Sequence, residues 1–170
     1  EYNVKDANLE EILLALKSLD TVEAVALGGS RSTGASDENS DYDIYVYCAE
    51  IPTAETRENL LEKYCSIAEF GNHYWESEDN TVMNNGVPVD IIYREVDRFG
   101  RYIDTVIKGG KAFNGYTTAF WHNIKNSKVL FDKTGTFTKF RDMAQIDFPE
   151  NLRSAIIKNN RNLLNGKLPS

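Results

Sequence analysis

The chain has 170 residues, 41% of them hydrophobic and 26% charged, with a formal net charge of −7. That balance suits one soluble globular domain with its own core, alone or with a small helical annex. Its basic residues are scattered, without the stripe that a long nucleic acid requires, so a small-molecule partner, a cationic one included, fits better.

In chain order, Leu9, Ile12, Leu13 and Leu16 predict a helix over residues 8–19, with Asn8 and Glu11 as a capping box. Neither this acidic N-terminal stretch nor any apolar run resembles a signal peptide or a membrane span, so no membrane association is expected. Residues 22–27 read as a strand that stops at Gly28-Gly29-Ser30. A polar loop carries Arg31, Gly34 and Ser40 into a second strand over 41–48. Pro52 and Thr53 open a second helix expected to run to about Phe70, with Leu60, Leu61, Tyr64, Ile67 and Ala68 as its apolar stripe and Gly71 as C-cap.

A hairpin follows, 73–83 and 87–93 joined by Asn84-Asn85-Gly86, the strongest short-range hairpin signal. Pro88 suggests that the second arm lacks one ladder partner at its start. Val96, Phe99, Ile103 and Val106 mark a third helix ending at Gly109-Gly110. Residues 116–126 look helical, 128–131 read as a short strand, and helices are expected around 136–145 and 149–164. Cys48 and Cys65, in apolar settings without metal-ligand spacing, read as reduced core thiols of a cytoplasmic protein.

The chemistry concentrates in three carboxylates. Asp41 and Asp43 are spaced i, i+2, which on a strand places both on one face. Carboxylates held that close repel unless a cation lies between them, and a divalent metal is the usual answer. Asp90 stands among Val89, Ile91 and Ile92, in a run where aspartate is disfavoured. If its strand neighbours the one with Asp43, the three converge at one point, a geometry suited to two magnesium ions bridging a triphosphate. The Gly-Gly-Ser turn adds backbone N–H groups and a hydroxyl, the chemistry of a phosphate cradle. Arg31 can meet a phosphate oxygen, and Ser40 can bond a ligand or cap its loop. His73 and His122 read as packed or surface histidines rather than general bases. Glu76 and Asp79 are expected to keep a strand edge soluble, and Tyr42, Tyr45 and Tyr47 to pack the sheet.

In order and spacing these residues resemble the DNA polymerase β-type nucleotidyltransferase superfamily, in particular its small-molecule branch with the aminoglycoside nucleotidyltransferases. The matching positions are Gly29-Ser30 after a strand, Asp41-Tyr42-Asp43 on the next, and Asp90 in Val-Asp-Ile on a later one, so the likeness is concentrated in residues 22–93. It implies an α/β (α+β) nucleotidyltransferase fold: a short mixed twisted sheet flanked by helices, then a helical segment. Residues 1–110 would form the core and 111–170 a mostly helical C-terminal segment, which can be the start of a longer helical domain.

The resemblance further implies that Asp41 and Asp43 bind both magnesium ions and that Asp90 binds the catalytic one and helps activate the acceptor hydroxyl. Gly29 and Ser30 would hold the β- and γ-phosphates, with Gly28 giving the backbone room. The implied reaction moves a nucleoside monophosphate from an NTP, ATP by preference, to a small hydroxylated acceptor, releasing pyrophosphate. Two rivals stand beside it: an antitoxin-like enzyme that modifies a partner protein, and a nucleotide-binding sensor without turnover.

Overall fold

The computed structural model describes residues 4–28, 41–74, 76–109 and 123–146. The first helix, α1 (Ala7–Lys17), buries Leu9, Ile12, Leu13 and Leu16, the stripe its sequence predicts. Its cap is Asp6 rather than Asn8: the Asp6 carboxylate accepts from the Asn8 and Leu9 amides at 3.0 and 3.2 Å. Asn8 is instead drawn to the hairpin turn, where its Oδ1 accepts from the Asn85 amide at 3.1 Å.

Six strands form one sheet, β1 (Val22–Gly28), β2 (Tyr42–Cys48), β3 (Cys65–His73), β4 (Ser77–Met83), β5 (Pro88–Glu95) and β6 (Lys128–Asp132), in the order β3-β4-β5-β2-β1-β6. β2 and β5 run parallel and every other neighbouring pair is antiparallel, giving the mixed sheet expected of the sequence. The 84–86 turn joins β4 to β5, with Gly86 at a φ of +87°. Pro88 pairs with Val82 of β4, whereas the ladder with β2 begins one residue later, at Val89. The missing N–H therefore falls where no β2 residue described needs it.

The second helix, α2 (Ala54–Leu61), is much shorter than expected. A 3-10 turn (Glu62–Tyr64) ends it, and residues 65–73, whose spacing also suits a helix, form the strand β3. Pairing with β4 overrides the local pattern and leaves Ile67, assigned by its spacing to a buried stripe, 67% exposed. The remaining helices are α3 (Val96–Gly109) and α4 (Thr136–Ile146), with a helical turn at 123–126. Gly110, most of the predicted helix at 116–126 and the one at 149–164 lie outside the described residues.

Strand alternation divides the core between the two sheet faces. On one, Ile44, Val46 and Cys48 of β2 and Val89, Ile91 and Tyr93 of β5 pack with α1 and Leu61 of α2. On the other, Ala24, Ala26 and Tyr47 pack with Phe99 and Ile103 of α3, Ile124, and Phe137, Phe140 and Ala144 of α4. An irregularity between Val22 and Ala24 in the β1–β2 ladder lets Val22 join Val25 and Leu27 on the first face. Cys48 is buried and Cys65 half-buried, and both are free thiols; burial pushes Cys48 up to about 12. Among the described residues no helix is long and apolar enough to cross a membrane.

Candidate active site

The second face is covered at one end and carries acids at the other. Side by side across the sheet stand Gly28 of β1, Asp43 of β2, Asp90 of β5 and Asn80 of β4. The next row holds Ala26, Tyr45, Ile92 and Glu78, and the one beyond holds Ala24, Tyr47 and Arg94. Partners across a ladder share a face, and so do residues two apart on a strand. The sheet therefore brings Asp43 and Asp90 together, with Asn80 and Glu78 flanking them. Asp41 is exposed just before β2 begins.

This is a strongly negative corner. Burial, followed by the charges of Asp90, Asp41 and Glu78, pushes the Asp43 carboxyl up from 3.8 to about 6. Among the described residues, the charges that shift it, those of Asp90, Asp41 and Glu78, are all negative. Glu78 is also raised, chiefly by burial, with the Asn80 hydrogen bond opposing and Asp90 adding to the rise. Among the described residues no three carboxylate, imidazole or thiol groups are already gathered into a closed metal-ligand set. The donors that the described residues bring together here are carboxylate oxygens, which fits a hard divalent ion such as magnesium.

Gly28 has a structural reason to be glycine. A Cβ there would lie 2.5 Å from Cε2 of Tyr45 and 2.7 Å from Nδ2 of Asn123, far inside contact distance. The room that Gly28 leaves is thus taken by a tyrosine ring and an amide. Gly29, Ser30, Arg31 and Ser40, assigned to the nucleotide from the sequence, lie outside the described residues, as does His122. His73 is exposed, its Nδ1 3.4 Å from the Ser77 hydroxyl.

Two acids read from the sequence as solubilising a strand edge do something else. Asp79 is fully buried and holds Arg57 through two bonds of 2.8 and 2.9 Å, because β4 turns it toward α2. Glu76 accepts from Nε and Nη2 of Arg94 at 2.7 and 3.0 Å. Arg94 is buried, also donates to the Tyr47 hydroxyl at 2.8 Å, and lies over the rings of Tyr45 and Phe99 at 4.5 and 4.7 Å. Tyr45 and Tyr47 pack the face that bears Asp43, while Tyr42 points away and donates to Asp6 at 3.2 Å. Arg94, Asn80 and Asn123 were not singled out from the sequence. For Arg94 and Asn80 the available signal was a charge or amide inside a strand, at the same parity as the acids; Asn123 lies in the helical turn at 123–126 and carried no such signal.

A cavity of about 290 Å³ opens at the other end of β5, lined in part by His73, Glu76, Arg94, Arg98, Phe99 and Tyr102. None of the acids of the Asp43–Asp90 row lines it.

A family model described as a nucleotidyltransferase domain matches residues 9–113, more than half of the chain. The chain belongs to that family. No curated protein is similar enough to count as a relative. Among solved structures, a toxin–antitoxin with AMP-PNP is 15% identical over 92% of this chain and 95% of that one, with a TM-score of 0.47. The toxin–antitoxin MntA-HpeT is 13% identical over 95% and 98%, also at 0.47. Cid1 in complex with the UTP analog UMPNPP is 16% identical over 63% of this chain and 39% of that one, at 0.39. Likeness at that level carries no argument about acceptor or partner.

Proposed function

We propose that the chain transfers a nucleoside monophosphate from a magnesium–NTP complex, ATP by preference, to a hydroxyl acceptor. The observation that carries this reading is the direct opposition of Asp43 and Asp90 in the β2–β5 ladder, within a family of nucleotidyltransferase domains. Asp41, Asp43 and Asp90 would hold two magnesium ions. When bound, these neutralise phosphate charge and make the attacking hydroxyl easier to deprotonate.

The residues of the chain then have separate roles. Asp90 draws the acceptor hydroxyl toward the α-phosphorus and favours loss of its proton. Asp41 and Asp43 orient the phosphates for in-line attack, while Gly29 and Ser30, with Arg31 and Ser40, hold the triphosphate tail. The acceptor oxygen gives up its proton to solvent water and bonds to the α-phosphorus, the bond from that phosphorus to the bridging oxygen breaks, and pyrophosphate leaves with the bonding pair.

For the acceptor we favour a small hydroxylated molecule. The net charge of −7 disfavours a polyanion, and Glu78 beside the acid row favours a cationic group. Pyrophosphate release from ATP and magnesium, screened over aminoglycosides, lincosamides and simple sugars, tests this. Release that requires one such acceptor and is lost in Asp43→Asn supports the reading. Release that requires a co-expressed protein instead would replace the small acceptor with a protein hydroxyl. Nucleotide binding without turnover under every condition would leave a sensor.

A further inference from the structure

We infer that Asn80 is a positioning residue for Asp90, held in its working orientation by Asn72 on a β-bulge. The inference rests on the proposed function, in which Asp90 is a metal-binding carboxylate. Nδ2 of Asn80 donates to Oδ1 of Asp90 at 2.9 Å and to Oε2 of Glu78 at 3.3 Å. A side-chain amide can present either end to a neighbour, and only its NH2 end suits a carboxylate. The direction is set from behind: Nδ2 of Asn72 donates to Oδ1 of Asn80 at 2.7 Å and to Oε2 of Glu69 at 3.1 Å. With its oxygen occupied by one amide, Asn80 must turn both N–H groups to the acids. Its grip on Oδ1 restrains rotation of the Asp90 carboxyl.

The relay depends on a local break in strand parity. Residues 69 and 72 are three apart and would face opposite sides of a regular strand. In the β3–β4 ladder Glu69 pairs with Asn80 and Asn72 with Glu78, three steps on one strand against two on the other. The extra residue is a bulge that returns Asn72 to the face of Asn80. Gly71 sits within it at a φ of +85°, where a Cβ would lie 2.8 Å from that of Ala54. The Gly71 amide donates to Oδ1 of Asp79 at 2.9 Å, and Asp79 is locked by its buried pair with Arg57. A buried ion pair on one face of the sheet thus fixes the bulge that orients a carboxylate on the other.

Partners that orient ligand side chains typically account for 10- to 100-fold in metal affinity. The test titrates Mn2+ into the wild-type chain, Asn80→Ala, Asn72→Ala and Asp90→Asn with saturating α,β-methylene ATP. Free Mn2+ is read by electron paramagnetic resonance, with a thermal melt of each variant. Asn80→Ala is expected to weaken Mn2+ binding about ten-fold or more, and Asn72→Ala by less, with Asp90→Asn the weakest. If Asn80→Ala proves unstable, Asn72→Ala, on the edge strand, carries the test with the same expected direction. Weakening in Asp90→Asn but in neither amide variant would overturn the positioning role and leave the proposed function standing. Unchanged Mn2+ affinity in Asp90→Asn would instead remove Asp90 as a ligand, and the inference with it.

Discussion

Asp43 and Asp90 stand opposite each other in a parallel ladder, two carboxylates at one sheet position with Asn80 and Gly28 on either side. Sheets rarely place like charges there, because such pairs destabilise the fold unless something offsets them.

That cost should be measurable through pH. The Asp43 carboxyl is raised from 3.8 to about 6, so the folded chain holds this proton more tightly than the unfolded chain does. The penalty from this group is absent below 3.8, grows as pH rises, and is complete above about 6. Asp43→Asn should therefore melt higher than wild type at neutral pH, by on the order of 1 kcal/mol after solvent screening, and lose that advantage in acid. Thermal melts across the acidic range check this; an advantage that does not vary with pH would contradict it.

Gly28→Ala should destabilise the fold by about 1–3 kcal/mol, since the new methyl meets the Tyr45 ring and the Asn123 amide. Urea denaturation gives the value, and the double variant with Asn123→Ala should recover part of it by removing one of the two obstacles.

Asp79→Ala should cost about 3–5 kcal/mol, because it strands a buried arginine and frees the Gly71 amide. Asp79→Asn, which keeps an acceptor for both partners, should cost less. Their ranking in urea separates a hydrogen-bonding role from a mainly electrostatic one.

Arg94→Lys should behave as a disruptive change despite keeping the charge. A lysine cannot reproduce the two bonds to Glu76 together with the bond to Tyr47 and the stacking on Tyr45 and Phe99. A lowered melting temperature with loss of near-ultraviolet aromatic signal is expected.

Much of the sheet was legible because β1, β2 and the β4–β5 hairpin carry strong local signals: β-branched runs, parity, and Asn-Gly at the turn. The neighbourhood of Asp43 and Asp90 followed from the same parity once β5 was placed beside β2. β3 was not legible, since Leu61, Tyr64, Ile67 and Ala68 fit a helical stripe and only pairing with β4 decides against it. The bulge at Gly71 was hidden for the same reason, and with it the Asn72–Asn80 relay. Asp79 was misread because an acid in a strand is usually solvated, and its partner Arg57 is 22 residues away on another element.

The most direct test of the central claim is calorimetry of ATP with and without magnesium, on wild type and on Asp41→Asn/Asp43→Asn. If the acid row is a metal–nucleotide site, wild-type binding will require magnesium and the double variant will lose the magnesium-dependent part. Tight ATP binding that is indifferent to both the metal and the substitution would contradict it.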